Sequence, residues 1–304
     1  MAIVDVSHLS YSYGAIAALR GVDLTIPQGA LYALLGPNGS GKTTFLQILM
    51  GVRRGYTGSA RVLGIESSAL TVKHRERIGY IAEGQSLPGW MRLEQLEAYL
   101  APLYPRWDKA LARDLRARFD LDRTRKIQTL SRGEYMKAAL LCALAPRPEL
   151  LLMDEPFTGM DALVKDELVR GLLESSGTEG WTVLLCSHDI GELELLADWV
   201  GFLGRGRMQI AEPMETLRQR FKQVDVTLGG EHASPALDPM WLSVERSGRQ
   251  LTFLASDAGE GFDARLAARF PNAARIESRD ATLREVFVAL ARRARDERSM
   301  EAAA

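Results

Sequence analysis

Two cysteines and four histidines are all that 304 residues offer to a disulfide or to a thiolate–imidazole metal cage. Cys142 and Cys186 sit inside the apolar runs LLCALA and VLLCSH, where a thiol reads as a small buried hydrophobe. Charge of one sign is missing too: 38 Lys and Arg face 39 Asp and Glu, for a net charge of −1. No positive excess therefore draws the chain to nucleic acid or to an anionic membrane. No apolar run approaches the roughly 20 residues that a bilayer-spanning helix needs. The opening MAIVDVSHLSYSYG lacks the basic-then-apolar pattern of an export signal. Internal repeats and low-complexity tracts are also lacking. These absences predict a cytoplasmic chain that reaches a membrane only by holding an integral partner.

What is there alternates. Short apolar runs, Ala30–Leu35, Glu149–Asp154 and Trp181–Ser187, read as buried strands, with helical periodicity between them. Residues 2–7, 20–26 and Ser59–Ile65 read as further strands, and Trp199–Ile210 as a hairpin turning at Gly204–Gly206. Residues 92–148 are mostly helical, interrupted at Pro102 and Pro105. This order predicts an α/β fold with functional loops at strand C-termini. Composition shifts after Phe221. VDVTL, WLSVE and LTFLA alternate like antiparallel strands, and GFDARLAARF and TLREVFVALARRA read as helices. The expected division is a first domain over 1–221, with a helical part at about 86–148. A small α+β appendix over 222–304 follows, with a frayed tail.

The segment GPNGSGKTT, Gly36–Thr44, fits G-x-x-x-x-G-K-[ST] and lies between a strand and a helix, as that phosphate loop requires. Gly36, Gly39 and Gly41 let the backbone curl so that its N–H groups, with Asn38, Ser40 and Thr44, surround phosphates. Lys42 reaches the β- and γ-phosphates, and the Thr43 hydroxyl suits Mg²⁺. Downstream, LLLMDEP ends an apolar strand in two carboxylates. Asp154 suits a Mg²⁺ ligand and Glu155 a base that polarises an attacking water. Between the two motifs, TLSRGEYMKAALL starts a helix with Ser131 as cap and its N–H groups free to meet an anion.

With these motifs in this order, residues 2–218 resemble the ATP-binding cassette (ABC) ATPases. The resemblance implies a P-loop NTPase cassette: a mostly parallel core sheet, an antiparallel β subdomain and a helical signature subdomain. It implies ATP and Mg²⁺ as ligands. It also implies a second cassette, most simply a second copy, closing head to tail so that Ser131 and Gly133 of one chain meet the γ-phosphate held by the other. Tyr13 matches the aromatic that stacks on adenine. His188 matches the switch histidine, and Asp161 the loop that crosses to the other subunit.

The chain departs from the family pattern at three places. Glu83 stands where the family has Gln, so the resemblance puts a carboxylate among the Mg²⁺ ligands, close to the γ-phosphate; Gln85 fits that role only with a two-residue shift. In the signature, Arg132 replaces Gly and Glu134 replaces Gln. Arg132 either contacts the sandwiched ATP or faces solvent. After Glu83, the segment Ser86–Asp108 occupies the family's groove for an integral membrane permease. Leu87, Trp90, Met91, Leu96 and Tyr99 either line that groove or belong to the core. This segment and the C-terminal DATLREVFVAL resemble bacterial exporter-type ATPases of antibiotic, lantibiotic or small-molecule efflux. The expectation is the ATPase subunit of an exporter, held at the inner face of the cell membrane by its permease. The alternatives are a cassette ATPase acting on ribosomes, DNA or iron–sulfur assembly, and a regulatory module that binds ATP without turnover. Glu83→Gln is expected to keep or quicken ATP hydrolysis in a steady-state phosphate-release assay. Complete loss would make Glu83 an indispensable metal ligand.

Overall fold

The computed structural model describes residues 1–160, 164–168, 170, 180–188, 197–229 and 238–303, with backbone alone for 296–303. The chain forms two compact units, Met1–Met208 and Gln209–Ala304.

The first unit is organised by a six-stranded sheet. Its strands are β3 (Leu31–Leu35), β6 (Ile78–Ile81), β7 (Leu150–Asp154), β8 (Thr182–Ser187), β9 (Trp199–Gly204) and β10 (Arg207–Pro213), in the order β10-β9-β3-β8-β7-β6. The last of these runs on into the second unit. The pairs β9–β3, β3–β8, β8–β7 and β7–β6 are parallel. LYALL, LLLMD and TVLLCS are buried along their whole length, as strands in the middle of a parallel sheet must be. Leu35 stands opposite Ser187, and Asp154 opposite Cys186. The four C-terminal ends of β3, β8, β7 and β6 thus lie side by side along one edge.

A second, antiparallel sheet has the order β2-β1-β4-β5, from β1 (Ala2–Tyr13), β2 (Ile16–Pro27), β4 (Thr57–Val62) and β5 (Ile65–Glu66). The stretch read above as one strand, Ser59–Ile65, is in fact a hairpin. Leu63 and Gly64 take φ of 55° and 78°, the left-handed pair that a two-residue turn needs. Helices α1 (Lys42–Leu49) and α2 (Val72–Arg75) flank the strands. The helical part holds α3 (Leu93–Leu100), α4 (Lys109–Arg118) and α5 (Arg132–Leu144). Asp108 caps α4, accepting from Ala110 N and Leu111 N at 2.8 and 2.9 Å. It also ties α4 to the end of α5, through Arg147 Nε at 2.7 Å and through its own N–H to Ala145 O.

The second unit contains α6 (Met214–Arg220), α7 (Phe262–Arg269) and α8 (Leu283–Ala303), with an antiparallel sheet in the order β12-β13-β11-β14. Its strands are β11 (Lys222–Leu228), β12 (Trp241–Ser247), β13 (Gln250–Ala255) and β14 (Ala273–Asp280). Val224, Val226, Phe253, Leu266 and Phe270 form its core, with Trp241 stacked 4.1 Å from Phe253. Leu283, Val286 and Leu290 of α8 are buried, as their spacing predicts. At the start of α8, Glu285 exchanges capping hydrogen bonds with Thr282 and receives both guanidinium nitrogens of Arg279, at 3.0 and 2.5 Å. The Arg279 bond, chiefly, holds the Glu285 carboxyl down at about 2 from its ordinary 4.5, with the Thr282 bonds helping. A lowered carboxyl pKa stabilises the fold above the unfolded value and loses that effect as pH falls through the folded one. Arg279→Gln should therefore lower the melting midpoint of this unit by a few degrees at pH 7. Calorimetry should show that gap closing as pH falls from about 4.5 to about 2.

Candidate functional site

The loop Gly36–Gly41 leaves β3 and enters α1 under tight constraint. A Cβ on Gly36 would stand 2.3 Å from Leu203 O, and one on Gly41 2.6 Å from Ala18 O. Gly41 also takes φ of 109°, a conformation L side chains rarely adopt. No side chain caps α1, so its first N–H groups face the loop's concavity. Within that concavity Lys42 Nζ donates to Gly36 O at 2.7 Å and to Pro37 O at 3.4 Å.

A cavity of about 380 Å³ opens over this loop. Tyr13, Asn38, Gly39, Ser40, Gly41, Lys42, Thr43, Thr44, Glu83 and Glu155 line it, joined by Ile16, Ala17 and Ala18, which sequence reasoning did not single out. Tyr13 is 40% exposed, and its hydroxyl lies 3.2 Å from Thr44 Oγ1. The Arg53 guanidinium stands over its ring at 5.2 Å. Glu83 faces the cavity, while the Gln85 side chain turns back to accept from Ala82 N within its own loop.

Glu155 follows β7 and is fixed by four neighbours. Its Oε1 lies 3.2 Å from Lys42 Nζ, with both side chains 6% exposed. Its Oε2 lies 2.7 Å from His188 Nδ1 and accepts from His188 N and Thr158 Oγ1, each at 3.3 Å. Its backbone takes φ of 49°, and its N–H donates to Cys186 O. A non-glycine residue in that region stores strain, which is held here by the surrounding bonds. Thr158 is a second residue that sequence reasoning passed over; it follows the carboxylate by one helical turn's spacing, the only signal it carries.

Asp154 is 1% exposed, and neither of its oxygens has a well-formed hydrogen bond among the described residues. Burial pushes its carboxyl above the usual carboxylate range. Nearby Glu83 and Glu155 add to that push, while Thr43 and Lys42 oppose it. An orphaned, buried carboxylate beside a threonine hydroxyl and a second carboxylate is a set of hard oxygen donors. Such a set fits a Mg²⁺ ion brought in with phosphates. The Ser40 hydroxyl is likewise buried without a partner.

Ser131 and Gly133 do not line this cavity; they open α5. Ser131 Oγ accepts from Glu134 N at 3.2 Å, and Glu134 Oε2 accepts from Ser131 N at 2.7 Å, a closed capping box. Arg125 pairs with Glu134 at 2.5 Å, and the Glu134 carboxyl is held low, first by the Ser131 backbone bond. Arg132 is exposed, yet it is not simply solvated. A Cβ on Gly159 would meet its Nη1 at 2.2 Å, so the guanidinium packs against the loop that follows Glu155. Asp161 lies outside the described residues. In the segment after Glu83, Met91 and Leu96 are core residues at 9% and 2% exposure, whereas Trp90 and Tyr99 are exposed at 68% and 56%.

Residues 19–158 match the family model described as ABC transporter. The chain is 26% identical over 224 residues to the ABC transporter ATP-binding protein YtrB of Bacillus subtilis, covering 74% of this chain and 76% of that one. It is 36% identical over 223 residues to the sulfate/thiosulfate import ATP-binding protein CysA of Xylella fastidiosa. That match covers 70% of this chain and 64% of the relative, so the chain spans less than two thirds of it. Among solved structures, an ATP-binding subunit of an ABC transporter superposes with a TM-score of 0.64 at 26% identity, covering 71% of this chain and 92% of that one. A dimeric cassette, MJ0796, bound to ADP and Pi shares the fold, with a TM-score of 0.62 at 24% identity over 69% of this chain and 98% of that one.

The first turn of α5 is also sterically fixed. A Cβ on Gly133 would stand 2.4 Å from Val164 Cγ1. Gly133→Ala is expected to destabilise the first unit by about 1–3 kcal/mol through overpacking. Thermal denaturation should show the loss, and adding Val164→Ala should recover most of it.

Proposed function

We propose that the chain carries an ATP-binding cassette of the ABC transporter family and, as an ATP-hydrolysing subunit of a transporter, drives an exporter through the residues described above. The observation that carries this reading is the convergence of Lys42 and His188 on Glu155, at 3.2 and 2.7 Å, beside the glycine loop.

In this reading the exposed face of Tyr13 stacks on adenine. The loop N–H groups of residues 38–44 and the start of α1 receive the phosphates. Lys42, already desolvated, exchanges its loop carbonyls and Glu155 for phosphate oxygens. Thr43, Asp154 and Glu83 would hold Mg²⁺, which when bound would offset the phosphate charge. Glu155, released from Lys42, accepts the proton of the attacking water, and His188 keeps the carboxylate oriented through its 2.7 Å bond. Ser131 and Gly133 of a second copy complete the site. Closure is driven only to the extent that ATP favours the closed pair over the open one.

A membrane permease docks on the surface after Glu83, with Trp90 and Tyr99 as its exposed anchors. Met91 and Leu96, being core, leave that list. No helix among the described residues is long and apolar enough to cross a membrane, so the inner-face location proposed here rests on that docking. Export is the proposed direction because Ser86–Asp108 and the C-terminal DATLREVFVAL resemble efflux ATPases. Glu155→Gln should bind ATP, stall hydrolysis and accumulate a dimer. Tagged Glu155→Gln captured with ATP from detergent-solubilised native membranes should bring down a polytopic membrane protein, identified by mass spectrometry. Capture of ribosomes or DNA in its place would move the function to a non-transport ATPase.

A further inference from the structure

The side chain that follows the signature, Tyr135, points out of the capped turn of α5 and into the loop that carries Glu83. Its hydroxyl donates to Gln85 O at 2.7 Å and accepts from Leu87 N at 2.5 Å. One donor and one acceptor are thereby both used, on the two peptide groups that flank Ser86. The loop has no other described hydrogen bond to α5. Further along, the two elements lie close: a Cβ on Gly79 of β6 would meet Ala143 O of α5 at 3.0 Å.

The opposite flank of α5 rests on the segment after Glu155. Arg132 packs on Gly159, Gly133 on Val164, and Lys137 pairs with Glu167 at 2.6 Å. The start of α5 is therefore held between two loops, and each loop carries a carboxylate that faces the cavity, Glu83 on one side and Glu155 on the other. A ligand that moves Glu83 shifts the peptide groups two and four residues on. Those groups are hydrogen-bonded to the helix that presents Ser131 and Gly133.

We propose that Tyr135 is a positioning residue: its hydroxyl transmits the state of the Glu83 loop to the first turn of α5 and so sets when that turn is competent to meet a second copy's nucleotide. The inference rests on the reading above, in which Ser131 and Gly133 act on a partner's ATP. Phenylalanine is the informative substitution because it keeps the ring packing and removes only the hydroxyl.

Two chains are compared, Glu155→Gln and Glu155→Gln/Tyr135→Phe, both full length and with ATP and Mg²⁺. Monomer affinity for a fluorescent ATP analogue is expected to stay within about twofold, while ATP-driven dimerisation, followed by analytical ultracentrifugation, weakens by roughly tenfold or more. Hydrogen exchange supplies a readout that simple destabilisation would not give. In the parent, ATP should change exchange in residues 83–90 and in 131–140 together; with Tyr135→Phe, only 83–90 should respond. Unchanged dimerisation together with a preserved response at 131–140 would overturn the proposal. So would a joint loss of ATP binding and thermal stability, which would make Tyr135 a packing residue only. If the Glu155→Gln parent itself fails to dimerise, the two-subunit reading fails, and the exchange pattern of the monomer still decides the role of Tyr135.

Discussion

A buried ammonium and a buried carboxylate, Lys42 and Glu155, face each other at 3.2 Å, and the geometry of the site depends on that contact. Lys42 opens the helix that follows β3 and Glu155 follows β7, so the pair exists only because β3, β8 and β7 are neighbours in one parallel sheet. Removing two charges from water is costly, and mutual attraction does not reliably offset it. The pair is therefore poor evidence of stability and better evidence of a poised site. Its members are held by weaker groups that a more strongly charged ligand can replace: Lys42 leans on two carbonyl oxygens, and Glu155 on a histidine and a hydroxyl. Asp154 makes the same point from the other side, since it is buried with no well-formed hydrogen bond among the described residues. A group in that position raises the energy of the empty site and lowers the relative cost of filling it.

Much of this was legible in the sequence, for a physical reason. Strands buried on both faces write themselves as unbroken apolar runs, and glycines in a loop that curls around phosphates cannot be exchanged for other residues. LYALL and LLLMD therefore announced the central strands, and GPNGSGKTT and Glu155 the place of a candidate site at their ends. The structure brings Tyr13, Asn38–Thr44, Glu83 and Glu155 to one cavity. Illegible features were those whose signal is cancelled by exposure or by tertiary partners. Strand β14 is almost wholly exposed and charged, AARIESRD, so it carries no alternation; only its pairing with β11 defines it. The turn at Leu63 hides an apolar residue in a left-handed conformation that sequence rules reserve for Gly, Asn or Asp. Met91 and Leu96 share the apolar character of Trp90 and Tyr99, and only burial separates core from surface among them.

Arg132 and Glu134, which depart from the signature pattern, and Tyr135, which follows it, each have a partner inside this chain. Glu134 closes the capping box and holds Arg125; Arg132 lies on Gly159; Tyr135 bridges Gln85 and Leu87. A helix N-terminus attracts an anion in proportion to the partial positive charge it leaves uncompensated. Here a carboxylate of the same helix already sits at that end, itself countered by a guanidinium. The first turn of α5 is thus less an open anion trap than a preassembled, nearly neutral unit. Its usefulness to an incoming phosphate depends on where it is held rather than on raw attraction. Position is what the flanking contacts control, because they join that turn to the two loops whose carboxylates face the cavity. Substitutions that look like erosion of a motif when read one at a time form, when their partners are included, a mechanical frame around it.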